Sequence, residues 1–304
     1  MLRYILILFL LLSYVAFSQE VLYKNQLSFR SDNDSYIFSD RYYSFGSHIR
    51  YSRRLSSDFI FKNTEQHTLQ LNLTIGQMAY TPDNFTETDT NLFDYPFAGW
   101  MYLSGEVMKS DEKHLFGLNL EIGVTGEESL VRQIHQWYHD FINIDHPSYV
   151  AQIPGEVMMN LKGKYVYDMI LTDDQSLFLS FATEASLGTK DIFLEEGVTL
   201  SFGNRRKLNN TALQNMISTS GSENFGHLTI AYRYVGHNTL IEGSFLNDNA
   251  PFTLDAKNSV VSVRIGASFR KNKNTFKIQY SYNTEETSLS ENHRFLSLLY
   301  ELSF

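Results

Sequence analysis

Three clusters in this sequence carry side chains able to do chemistry. The first is Ser31-Asp32-Asn33-Asp34-Ser35, followed by Asp40-Arg41-Tyr42-Tyr43-Ser44. Its carboxylates and amide are hard oxygen ligands suited to Ca²⁺. Asn and Asp are also ordinary turn residues, and the Gly and closing Glu of an EF-hand are missing from their required offsets. The second is Asp94-Tyr95-Pro96-Phe97-Ala98-Gly99-Trp100, where glycine permits close backbone approach and an indole suits a lipid interface, so it reads as structural anchoring. The third is Ser129 to Ile142, where Leu130, Ile134, Trp137 and Phe141 share one helical face and His135 and His139 lie opposite. This pattern predicts a helix packed beside the rest of the fold with two imidazoles facing elsewhere. His135 and His139 have the i, i+4 spacing of a zinc-protease helix, but Gln136 stands where that motif needs a general-base Glu, which disfavours a zinc protease. Either imidazole suits proton transfer near neutral pH or a plain hydrogen-bonding role.

Composition limits what these clusters can hold. Among 304 residues there is no cysteine, so disulfides and thiolate chemistry are excluded and any metal must be held by oxygen or imidazole. Twenty-five Lys and Arg against 34 Asp and Glu give a formal net charge of −9, the wrong sign for a phosphate-backbone binder, so nucleic acid is not an expected partner. With 43% apolar residues the chain is not disordered, and 23 Phe and 19 Tyr beside only 5 Pro favour strands.

The elements that must position the clusters follow from a period of two. Leu69, Leu71, Leu73 and Ile75 alternate with polar residues, as do Val261, Val263, Ile265, Ala267 and Phe269, and as do Leu296, Leu298, Tyr300, Leu302 and Phe304 at the end of the sequence. Residues 1–18 read as a cleaved signal peptide, with Ala16-Phe17-Ser18 before Gln19, and no later stretch has the roughly 20 apolar residues of a spanning helix. Residues 19–304 therefore read as an all-β transmembrane antiparallel barrel in the outer membrane of a Gram-negative bacterium, apolar outside and polar inside. Twelve strands are expected, near 26–33, 42–55, 67–79, 98–110, 114–125, 156–170, 175–188, 193–203, 225–237, 258–271, 274–285 and 293–304, with Thr239 to Leu246 left in a loop. If short turns are periplasmic, the connections near 34–41, 80–97 and 126–155 share the outer rim, and the candidate helix lies in an extracellular loop. Arg53, Arg54 and Lys62 fall at the opposite end and are poor candidates for binding phosphate.

Taken in order, the motifs resemble those of the outer-membrane lipid A 3′-O-deacylases of the LpxR type. They are Asn33-Asp34 with Asp40-Arg41-Tyr42-Tyr43-Ser44-Phe45-Gly46, then Pro96-Phe97-Ala98-Gly99-Trp100-Met101-Tyr102, then Glu121-Ile122-Gly123, then His139, Pro147, Gln152-Ile153 and Glu156. The resemblance implies a twelve-stranded barrel acting on lipid A of lipopolysaccharide among outer-membrane lipids, with Ca²⁺ as cofactor and a histidine as general base. It implies His139 as that base, with His135 as the alternative, Asn33 and Ser44 as polarising groups, Asp34 as catalytic residue and metal ligand, and Asp145 as orienter or second ligand. Tyr95 departs from the family's usual Arg, and Ser148-Tyr149-Val150 from its usual Gly-Trp. An outer-membrane phospholipase and a non-catalytic barrel are the rival readings.

Overall fold

The computed structural model describes residues 22–37, 39–56 and 67–304. The expected signal peptide and Lys62 lie outside the described residues. Twelve strands form one closed antiparallel barrel: β1 Asn25–Asn33, β2 Tyr42–Leu55, β3 Thr68–Thr81, β4 Ala98–Ser110, β5 His114–Thr125, β6 Val157–Ile170, β7 Leu177–Gly188, β8 Asp191–Asn204, β9 Ser222–Asn238, β10 Ser259–Lys271, β11 Asn274–Asn283 and β12 His293–Ser303. Each strand pairs with its sequence neighbours, and β1 closes on β12 with Phe29 opposite Tyr300. Closure leaves no unpaired edge, the condition for a sheet to stand in hydrocarbon.

Alternation sorts the two faces of the wall. Leu27 and Phe29 on β1, Leu118 and Leu120 on β5, Ile265 on β10 and Phe276 on β11 are exposed on the outside. The interior holds charges that neutralise one another: Asp32 with Arg30 at 2.7 Å, Glu121 with Lys162 at 2.9 Å, and Glu195 with Arg264 at 2.6 Å. Apolar area turned outward over a charged, paired interior reverses a soluble protein and is the arrangement hydrocarbon requires.

One expectation about loop length fails. The β8–β9 connection, residues 205–221, lies at the end that carries the chain termini, yet it is long and folds into the barrel, burying Leu208, Ala212, Met216 and Ile217. Arg270 tethers it, donating to the Asn210 carbonyl at 2.7 Å, the Met216 carbonyl at 2.9 Å and Glu223 at 2.7 Å. Lumen-facing polar groups satisfy its backbone, so the segment works as a plug. Both members of the Arg270–Glu223 pair are buried, and removing one strands the other charge. Arg270→Ala should therefore cost about 3–5 kcal/mol of folding free energy. Urea-induced unfolding in lipid vesicles, followed by electrophoretic mobility, measures it; an unchanged midpoint would show that the plug is held by its apolar residues alone.

Outside the sheet, α1 (Val131–Ile142) follows β5 after a 3-10 turn at Glu127–Ser129, and a one-turn helix α2 (Thr239–Glu242) follows β9. The patch 239–246 thus stays out of the sheet, as expected. The face of α1 differs from expectation: His135 and His139 are buried, while Trp137 is 66% and Phe141 77% exposed, with Leu130 and Ile134 also exposed. The apolar stripe faces away from the barrel. A stripe normally seeks the protein core, but beside a lipid-facing wall the apolar phase is the membrane, and an amphipathic helix can turn outward to it.

Candidate active site

The site is built on the outside of the barrel wall. On β4, Gly99 shares its face with the exposed Leu103, and a Cβ added at Gly99 would come within 2.4 Å of Ser129 Oγ and 2.8 Å of Val131 Cβ. That close approach lets the start of α1 lie on the wall. Gln77 Nε2 donates to the Ser129 carbonyl at 2.9 Å, and Phe45, Ala79, Phe93, Phe97, Val131 and Tyr149 form the apolar seat beneath the helix. Trp100 is buried against Ile153 and Met158, a packing role consistent with anchoring.

On this seat the helix aims both imidazoles at the β1–β2 connection. His139 Nε2 lies 3.2 Å and His135 Nε2 3.9 Å from the Asp40 carboxylate. His139 Nδ1 donates to the Asp145 carbonyl at 2.5 Å. A carbonyl can only accept, so Nδ1 carries the hydrogen and Nε2 is the basic nitrogen. Burial opposes protonation of His139, but Asp40 and the Asp145 carbonyl outweigh it and hold the imidazole above its ordinary pKa. Burial pushes His135 down to about 3 despite Asp40, and His139 adds to the effect. His135 Nδ1 is bonded to the Tyr149 hydroxyl at 2.9 Å.

A bulge between Tyr43 and Phe45 shapes the other half of the site. The Ser44 carbonyl accepts from Asp34 N at 3.3 Å, while the Ser44 hydroxyl is taken up by Thr81 at 2.7 Å. The structure thus brings Ser44 to Asp34 through its backbone and turns its hydroxyl toward β3. Asn33 Oδ1 accepts from Ser35 N at 2.6 Å, leaving only its Nδ2 to donate elsewhere. Asp34 is fully buried, and its Oδ2 accepts from Arg41 N at 2.7 Å. Burial, helped by Asp40 and opposed by the Arg41 amide, pushes its carboxyl up to about 8. Asp34 Oδ1 and Asp40 Oδ2 are buried with no hydrogen-bond partner.

Asp145 reaches the site through its carbonyl, and the residue itself is exposed. Of the two departures from the family pattern, Tyr95 is buried away from the imidazoles and donates to Glu286 at 2.9 Å, whereas Tyr149 touches His135 directly. Asp40 is the residue whose pairing the sequence did not reveal. It belongs to the first acidic cluster, but nothing in that cluster signals a contact with histidines so far along the chain. Arg53 pairs with Asn25 at the end bearing the termini, and Arg54 donates to Thr68 at 2.7 Å, both remote from this rim.

Beside Asp40 a cleft of about 590 Å³, lined by Ile37, Arg41, Tyr280 and Arg294 among others, opens on the outer wall. Tyr280 shares its face with Ile278 and Phe276, and Arg294 shares its face with Leu298 and Tyr300, all exposed outward. The cleft therefore meets the lipid-facing surface at its upper margin.

A closed barrel with an apolar outer belt and a charged, paired interior defines an integral outer-membrane β-barrel protein. The profile of the family described as outer membrane protein LpxR matches residues 5–304, and the chain belongs to that family. The structure of LpxR from Salmonella typhimurium is similar over 92% of this chain and 100% of that one, with a TM-score of 0.76 at 17% identity. The β domain of the Bordetella autotransporter BrkA aligns over 93% of this chain and 99% of its own, with a TM-score of 0.47 at 10% identity. No curated sequence matches the chain. The likeness to LpxR from Salmonella is one of fold.

Proposed function

We propose that this protein is a Ca²⁺-dependent ester hydrolase that removes the 3′-linked acyl group from lipid A. The observation that carries the hydrolytic reading is His139, buried on a helix with Nδ1 fixed by a carbonyl and Nε2 facing a carboxylate at the end of an open cleft. Family membership supports lipid A as the substrate, and the 3′ position is inferred from the resemblance of the motifs. In this reading His139 Nε2 takes a proton from water as the water oxygen bonds to the acyl carbonyl carbon. The imidazolium then returns that proton to the departing sugar oxygen as the ester C–O bond breaks. Asp40 stabilises the imidazolium, the Asp145 carbonyl fixes its tautomer, and Asn33 Nδ2 is placed to donate to substrate.

The residues present suit a hard cation. Buried Asp34 Oδ1 accepts no hydrogen bond, and buried Asp40 Oδ2 meets only His139 Nε2, which carries no hydrogen when the imidazole is neutral; such atoms are costly unless satisfied. Asp34 and Asp40 would hold Ca²⁺, with carbonyls and water completing the shell. When bound, the ion supplies positive charge to stabilise the oxyanion formed on the ester carbonyl. The Asp145 carboxylate takes no part in this arrangement.

The site's position favours a lipid substrate. It opens at the top of the lipid-facing wall, and the plug fills the end of the lumen that a pore would need open. Mass spectrometry of lipid A from cells expressing the chain, with Ca²⁺ supplied or chelated, tests the reading. Loss of the 3′-linked acyl group only when Ca²⁺ is supplied is the expected result. Unchanged lipid A with altered glycerophospholipids would replace it with a phospholipase, and no change in either would leave a non-catalytic barrel.

A further inference from the structure

We infer that Asp40, His135 and His139 form a second metal site, one for a transition-metal ion of the Zn²⁺ class, and that its occupation switches off the hydrolase by capturing the base. The switching rests on the proposed function; the metal site stands on geometry alone. Among the described residues these three are the group whose ligand atoms all lie within 4.8 Å of one another. Ligands at 2.0–2.1 Å in a tetrahedron sit about 3.3 Å apart. His139 Nε2 and Asp40 Oδ2 are already 3.2 Å apart, and His135 Nε2 lies 3.9 Å from Asp40 Oδ1, so small side-chain shifts complete the set.

The ring nitrogens away from Asp40 are held as metal-ligating histidines are held elsewhere, by outer partners that fix ring orientation. His139 Nδ1 donates to the Asp145 carbonyl, and His135 Nδ1 is bonded to the Tyr149 hydroxyl. The His139 Nε2 lone pair and the His135 Nε2 then face one carboxylate, and a cation placed between them would draw the three groups together. Asp40 also borders the open cleft, which leaves a fourth position for water.

Ligand chemistry separates this site from the Ca²⁺ centre. Two imidazoles and one carboxylate suit Zn²⁺, whereas Ca²⁺ takes six to eight oxygens. The i, i+4 histidine spacing of a zinc helix is therefore kept without the glutamate that would make it hydrolytic. A metal on His139 Nε2 occupies the lone pair that must accept the proton. Because both ions use Asp40, each should weaken the other by the same factor.

Co²⁺ is the probe for the site itself. The purified full chain in detergent micelles should bind one Co²⁺ per chain with the intense visible absorption of tetrahedral coordination. Tyr149→Phe keeps all three ligands and should bind Co²⁺ more weakly, and His135→Gln should lose the tetrahedral band while both variants keep the heat-modifiable mobility of a folded barrel. Hydrolysis of lipid A by the same preparations should fall at least about tenfold with Zn²⁺ for the wild type. His135→Gln should need at least about tenfold more Zn²⁺ for the same fractional loss. A wild-type chain that binds no Co²⁺ tetrahedrally, or a His135→Gln chain that binds it as the wild type does, overturns the site. A tetrahedral band with no hydrolysis under any condition upholds the site and rejects the proposed function instead.

Discussion

His139→Gln lowers the rate of lipid A deacylation by about 10²–10⁴-fold, the contribution of a well-placed general base. Glutamine keeps much of the side chain's bulk and can still donate toward the Asp145 carbonyl, so the helix should stay seated on its apolar bed of Phe45, Phe93, Phe97 and Val131. What it lacks is a basic nitrogen where Nε2 faces Asp40 at 3.2 Å. The loss should appear in kcat, because the removed proton transfer occurs in the transition state. Initial rates from a mass-spectrometric time course on purified protein measure it. A rate within a few-fold of wild type would remove His139 from the base role and leave His135 as the remaining imidazole.

Asp34→Asn lowers the rate by about 10²–10³-fold at the Ca²⁺ concentration that supports the wild type, the scale of a lost oxyanion-stabilising group. The amide is nearly isosteric, so with its oxygen in place of Oδ2 it can still accept from Arg41 N, the 2.7 Å bond that fixes the turn. It carries no charge for the cation, and Asp40 is left as the only carboxylate of the pair. Part of the activity should return as Ca²⁺ is raised. A titration of rate against Ca²⁺ for both chains decides it; superimposable curves would show that Asp34 does not hold the ion. The two variants also separate the roles, since added Ca²⁺ should not restore His139→Gln.

Most of the wall was legible in the sequence because a half-buried strand writes its two faces as alternating residues. The Leu296-Leu298-Tyr300 alternation gives β12 within a residue at each end. The plug was not legible, because Leu208, Met216 and Ile217 lack a period and their burial depends on Arg270, far along the chain. In the site, the spacing of His135 and His139 placed both on one helical face, and Asn33-Asp34 fell at the end of its strand as expected. The direction of that helical face was not legible, since an apolar stripe has the same pattern whether its partner is protein or lipid. Asp40 joined the histidines because β2, β3 and β4 pair side by side and the helix lies back across them, a contact that local spacing cannot express. Asp145 contributes a carbonyl, which no side-chain type announces.

The outward stripe of α1 sets the dimensionality of the encounter. Trp137 and Phe141 continue the wall's apolar belt beyond the strands, and the cleft beside Asp40 opens on that same wall. A lipid already in the outer leaflet then meets the site by sliding sideways, without leaving its neighbours for water. The quantity that governs turnover is the mole fraction of substrate in the leaflet rather than its bulk concentration. Diluting the substrate with inert lipid at constant total lipid should slow the reaction, and adding buffer should not.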